Sequence, residues 1–446
     1  MKAVSTVKVN FEQILKRIAI IDRDISELNR LKSKLPKDRH YFPGLQLTFD
    51  KQIQTLNLEK NSLYALNIKN PPQWLSNFYT NGKALTNGFH EDEEELVNFS
   101  PIVPVEGGEI ISFLKAIPKT EVHLHLEACI NKEALKNLLQ RNNMEVSDEV
   151  FDEKFHFKDL NGFIQLFFFI QSAIHSADDF GLLIDSLANY MRNDNIIYAE
   201  VFLAPTRFLQ NGLEFTEIMD VIVDRIREIK KEDGTEIRIL VDVSRTFGVD
   251  NAMANLQKVL SLRYEEVIGI GLGGAELMGP ARDYEPVFKL AREAGLHCVV
   301  HAGEDDGPWS IWDSLKYLKA ERIGHGISAI QDPELMRYIK ENKIPIEICL
   351  TSNMFTGKYV RKEENHPVRQ YYDTGIITCI NTDDPEIFGV SLTDEYYKLH
   401  KHLGFSIDEM IDLVKKGVFS SFHPKKDKLW KKMEAEIQRL KTKHAV

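Results

Sequence analysis

"HCVVHAGEDDGPWSIWDSLKYLKAERIGHGI", residues 297–327, holds one complete unit of the fold. Two short apolar runs, "HCVVHAGE" (297–304) and "RIGHGI" (322–327), flank "SIWDSLKYLKA", whose apolar residues recur at helical spacing. Strand, helix and strand within about 30 residues make a parallel βαβ unit. Both runs also end in polar residues, His301 and Glu304 in the first and His325 in the second.

The same rhythm extends in both directions. Apolar, β-branched runs occur at "EVHLHL" (121–126), "IIYAEVFLA" (196–204), "IRILVDVSR" (237–245), "VIGIGLGG" (267–274), "PIEICLTSN" (345–353) and "IITCINTDD" (376–384). Helical segments such as "DYEPVFKLAREAG" and "DPELMRYIKENK" lie between them. Eight strands alternating with helices predict an α/β chain closed into a (β/α)8 TIM barrel. An open doubly wound sheet fits less well, and no G-x-G-x-x-G follows the first strand to suggest a dinucleotide fold.

Residues 1–100 differ in character and are expected to form a helical N-terminal extension, with the barrel over 101–446. Ile14, Ile18, Ile21, Ile25 and Leu28 follow helical spacing, and a second helical stretch ends before the prolines at 71 and 72. Such a hairpin could pack on the rest of the chain or support self-association with a second copy. Composition is that of a globular protein, with 43% hydrophobic and 28% charged residues among 446. The formal net charge of −11 argues against a nucleic-acid partner. No apolar run approaches the roughly 18 residues of a membrane span. Cys129, Cys298, Cys349 and Cys379 are widely spaced, as expected of buried free thiols in a cytoplasmic protein.

In a barrel of this kind the C-terminal strand ends face the substrate. His123 and His125 sit two apart, on one face of the first strand. With His301 and Asp383 they make three imidazoles and a carboxylate, a donor set suited to one Zn2+ with a place left for water. A second metal would want a lysine on the fourth strand, and "VIGIGLGG" has none. Zinc lowers the pKa of its water toward about 7. His325 could orient that water and take its proton, Glu304 could act as a general acid, and Asp384 could accept from a substrate N–H. The plainer alternative is a set of histidines capping strand ends. An inactive barrel with a binding role would have lost a ligand or the acid, and all are present.

These motifs in this order resemble those of the adenosine deaminase family of metal-dependent amidohydrolases, over roughly residues 115 to 430. "PKTEVHLHLEACI", "HAGE", "RIGHG", "LTSNMFTG" and "NTDDPEIFG" carry the likeness. The resemblance implies a hydrolase of purine metabolism in which zinc is held by His123, His125, His301 and Asp383. Hydroxide adds to C6 of adenosine, and inosine and ammonia are the products. It further implies that Glu304 protonates N1, His325 handles the zinc water, Asp384 bonds N7 and Gly274 approaches N3. Leu160, Phe163, Ile164 and Phe167, on one helical face, would cover the nucleoside, although a plain core helix has the same spacing. Two positions depart from the family pattern. Glu127 and Ala128 stand where the adenosine enzymes carry Asp-Gly, and glutamate there is more typical of relatives acting on adenine or modified adenine compounds. Phe202 stands where arginine is common. The expected partner is thus a small purine nucleoside or base.

Overall fold

The computed structural model describes residues 108–446, except 145, 157–159 and 357. The expected helical extension over 1–100 lies outside the described residues. Eight strands follow in sequence order: β1 (Lys119–His125), β2 (Ile196–Leu203), β3 (Glu236–Asp242), β4 (Val267–Leu272), β5 (His297–Ala302), β6 (Arg322–His325), β7 (Ile346–Ile348) and β8 (Thr378–Ile380). Each pairs in parallel with the next, giving the order β1 to β8. The ring closes through a parallel bridge between Leu124 and Asp383. The Asp383 amide donates to the His123 carbonyl (3.2 Å), and the His125 amide donates to the Asp383 carbonyl (3.0 Å). Closure of the barrel therefore sets Asp383 beside the two β1 histidines.

The helices form because each offers one apolar stripe to the sheet. In Phe215–Asp233, the buried Ile218, Met219, Ile222, Val223, Ile226 and Ile229 repeat at three- and four-residue steps. Each such side chain contributes about 1.5–3 kcal/mol on burial. Gly234, left-handed at φ 84°, ends the helix. The C-terminal helix Lys426–His444 buries Trp430, Met433, Ile437 and Leu440, while Lys428, Lys431 and Lys432 face solvent. Its basic cluster is thus a solvated face. All four cysteines are free and buried. Among the described residues no helix is long and apolar enough to cross a membrane.

Phe202, Leu240 and Val299 form a small apolar cluster apart from the main core. Gly271 makes room for it, since a Cβ there would lie 2.6 Å from the Phe202 ring. One run departs from its expected form. Of "PIEICLTSN" only Ile346–Ile348 is strand, and Leu350–Thr356 turns into a helix. A short, fully buried apolar run carries no period that separates strand from helix.

Candidate active site

His123 and His125 (β1), His301 (β5) and Asp383, just past β8, bring one donor atom each within 4.8 Å of one another. His123 Nε2 and His125 Nε2 lie 3.3 and 3.2 Å from Asp383 Oδ1. His301 Nε2 lies 3.3 Å from His125 Nε2. Tetrahedral zinc with bonds near 2.0–2.1 Å sets neighbouring donors about 3.3 Å apart, so these spacings fit the ion. Buried His123 Nε2 and Asp383 Oδ1 have no hydrogen-bond partner among the described residues. Burial alone would lower the His123 and His125 imidazolium ions. The nearby Asp383 carboxylate, joined at His123 by Glu347, outweighs it and raises them to about 9 and about 10. Three ring nitrogens and a carboxylate oxygen gathered in this buried place make a donor set for a cation.

Behind the ring lies a buried ionic chain. His123 Nδ1 meets Glu347 Oε2 at 2.6 Å, leaving Nε2 turned inward. Glu347 also pairs with Arg322, which is 1% exposed and forms an ion pair with Glu200 at 2.6 Å. Tyr198 donates to Glu200 (2.8 Å), and the Phe422 ring covers the guanidinium at 3.9 Å. Ser352 Oγ donates to Asp383 Oδ2 at 2.7 Å. Phe202 supplies an apolar floor, stacked on His125 with ring centres 5.3 Å apart.

Glu304 and His325 stand beside this cluster. His325 Nε2 is 3.4 Å from Glu304 Oε2 and 3.9 Å from Asp383 Oδ2. Burial, then the charges of Asp383 and Glu276, push the Glu304 carboxyl well above its ordinary value. Burial lowers His325 to about 4. Asp384 is likewise raised, by burial and by Asp383, and its Oδ1 lacks a partner among the described residues. His325 and Asp383 both have positive φ, 62° and 69°. A non-glycine residue pays about 1–3 kcal/mol to hold a sparsely populated backbone region, and here two adjoining side chains do so. One carboxyl fixes the Glu304 loop: Glu276 accepts from the amides of Gly303 (2.6 Å), Glu304 (3.0 Å), Asp305 (2.8 Å) and Asp306 (3.0 Å). Arg245, buried nearby, donates to the His301 and Gly279 carbonyls.

Comparison with known proteins gives this arrangement its family. The model of the family described as adenosine deaminase matches residues 118–438. The chain belongs to the adenosine deaminase family. It is 33% identical to an aminodeoxyfutalosine deaminase of Streptomyces avermitilis, over 71% of this chain and 89% of that one. It is 37% identical to an adenosine deaminase of Vibrio cholerae, over 52% and 69%. The solved structure of an adenine deaminase from Arthrobacter aurescens superposes with a TM-score of 0.69 at 27% identity, covering 73% of this chain and 99% of that one. The protein is accordingly a hydrolytic deaminase, and its cofactor is Zn2+.

The remaining residues expected of a family member divide by element. Gly274, at φ 84°, lies where a Cβ would come within 2.6 Å of Thr246 Oγ1, so only glycine fits. Its loop is tied down by Asp242, which accepts from the Gly273 amide at 2.9 Å. Glu127 is fully buried and pushed to about 7 by burial. Its Oε1 accepts from the Ala204 amide (3.3 Å), and its Oε2 has no partner among the described residues. Phe163 stacks on Phe388 (5.4 Å), four residues past Asp384, and Phe167 lies 6.0 Å from Phe163. The Leu160 and Ile164 side chains fall outside the described part. Sequence reasoning missed Glu347, Ser352, Asn353, Asp242 and Glu276. The available signal was a charged or amide residue inside an apolar run, as in "PIEICLTSN".

Proposed function

We propose that the chain hydrolyses the 6-amino group of adenosine, consuming one water and releasing inosine and ammonia. The observation that carries this reading is the His123, His125, His301 and Asp383 cluster, with Glu304 and His325 beside it. These four residues would hold the zinc, which supplies a Lewis acid that brings the pKa of a water toward about 7. Glu304, whose carboxyl is held toward its acid form by burial, gives its proton to purine N1, so that C6 accepts the attacking oxygen. Asp384, whose carboxyl is raised by burial and by Asp383, hydrogen-bonds N7. The Gly274 backbone approaches N3, and Phe163 and Phe167 close the apolar side of the site. His325 faces the incoming oxygen.

Identity of 37% to an adenosine deaminase supports the nucleoside reading. A second reading, adenine or a modified adenine nucleoside as substrate, is favoured by Glu127, a buried acid with an oxygen awaiting a donor. The ultraviolet change on mixing the zinc-quantified protein with adenosine, adenine and aminodeoxyfutalosine in turn decides between them. Loss of the adenosine band alone supports the first reading. Turnover of adenine or aminodeoxyfutalosine with adenosine untouched overturns it in favour of the second.

A further inference from the structure

A chain of hydrogen bonds outside the metal cluster starts at a backbone amide and ends at His325. Val368, first residue of the helix Val368–Thr374, donates its amide to His366 Nδ1 at 3.1 Å. An amide has only a proton to give, so Nδ1 of His366 is the lone pair and the neutral ring carries its hydrogen on Nε2. His366 is 3% exposed, and burial lowers it to about 3, which keeps the ring neutral. Its Nε2–H faces Asn353 Oδ1 at 3.2 Å, and this contact orients the amide. The other end, Asn353 Nδ2, is a donor and stands 3.1 Å from His325 Nδ1. His325 Nδ1 is therefore an acceptor, and the His325 hydrogen sits on Nε2. That atom points at Glu304 Oε2 and Asp383 Oδ2.

Reversing the chain would turn the Asn353 oxygen to His325 and its NH2 to His366. His366 would then carry its proton on Nδ1, against the Val368 N–H. Two buried donors would face each other, and each unsatisfied one costs about 1–3 kcal/mol. The direction is thus set by one backbone amide. We infer that Asn353 and His366 are positioning residues that lock His325 as its Nε2–H tautomer, so that His325 serves the site as a hydrogen-bond donor and not as an acceptor of protons. This differs from the expectation that His325 takes the proton of the water. Its Nε2–H instead faces the oxygens at the strand ends, where it stabilises negative charge developing on the attacking oxygen. That catalytic consequence rests on the deaminase reading, whereas the tautomer does not.

Nitrogen-15 NMR of the zinc-loaded full chain with labelled histidine reads the tautomer directly, a His325→Gln variant assigning the signals. The expected result is Nε2 protonated and Nδ1 not. Asn353→Asp replaces the donor facing His325 with an acceptor and should move the His325 hydrogen to Nδ1. The expected kcat falls by about 10^2–10^4, the scale of a mis-set catalytic imidazole, with zinc content unchanged. His366→Gln, which keeps a donor near the Nε2 position, should preserve the tautomer and most activity, and His366→Leu should lose both. Nδ1 protonation in the wild-type protein overturns the inference, as does wild-type kcat in Asn353→Asp. Absence of purine turnover with the Nε2–H tautomer present counts for the tautomer and against the deaminase reading, so the two failures are distinguishable.

Discussion

Replacing Glu347 with glutamine tests how much of the metal site is built by residues that never touch the ion. Glu347 Oε2 accepts from His123 Nδ1 at 2.6 Å, and both side chains are fully buried. A hydrogen bond to a charged group contributes about 1.5–3 kcal/mol, and one between neutral groups about 0.5–1.5. The glutamine amide keeps the shape and one acceptor, so the loss is the difference, about 1–2 kcal/mol. At 1.4 kcal/mol per factor of ten, zinc should bind about 5- to 30-fold more weakly. This agrees with the 10- to 100-fold typical of residues that orient a ligand from behind. Arg322 retains Glu200 at 2.6 Å, so its charge is not stranded. The assay is competition for zinc against a chelator of known affinity, with a melting curve of the metal-free protein beside it. A variant that melts like the wild-type protein and binds zinc equally well would refute the argument.

Further outcomes follow from the same geometry. Glu304→Gln should keep its zinc and lose nearly all turnover. Because the folded Glu304 carboxyl is raised above its ordinary value, its acid form persists to higher pH than that of an ordinary carboxyl and disappears as pH rises through the raised pKa. Wild-type kcat should therefore fall on the alkaline side, and a kcat that instead rises steadily with pH would contradict the assignment. Glu276→Gln turns one of its two accepting oxygens into an NH2 donor and so should loosen residues 303–306, read as faster hydrogen exchange in a peptide spanning them, with a drop in kcat and zinc retained. Gly271→Ala should cost about 1–3 kcal/mol of stability in calorimetry, because its methyl would meet the Phe202 ring, which is wedged under His123 and His125.

Much of this protein was open to a reading of its sequence alone. The strand ends of a parallel barrel all emerge on one side, so polar residues closing separate runs converge whatever the loops do. This is why His123, His125, His301 and Asp383 could be grouped although β1 and β8 are far apart in the chain. The period of each segment likewise reports which side of it is buried, which made strands and helices legible except where a run was short and buried on every side, as at 346–353.

What only the tertiary structure decided is which polar group answers which. Glu347 reaches His123 across 224 positions of sequence, and the Asn353 amide reaches His325 across 28. Glu276 gathers the amides of a loop that follows the next strand. A side-chain hydrogen bond depends on register and rotamer to within a few tenths of an ångström, and no local pattern encodes that. The residue types at the strand ends thus determined what chemistry the chain can perform. Packing of the helices and loop between β7 and β8, which brings Val368, His366 and Asn353 into line, decided on which nitrogen the His325 proton rests.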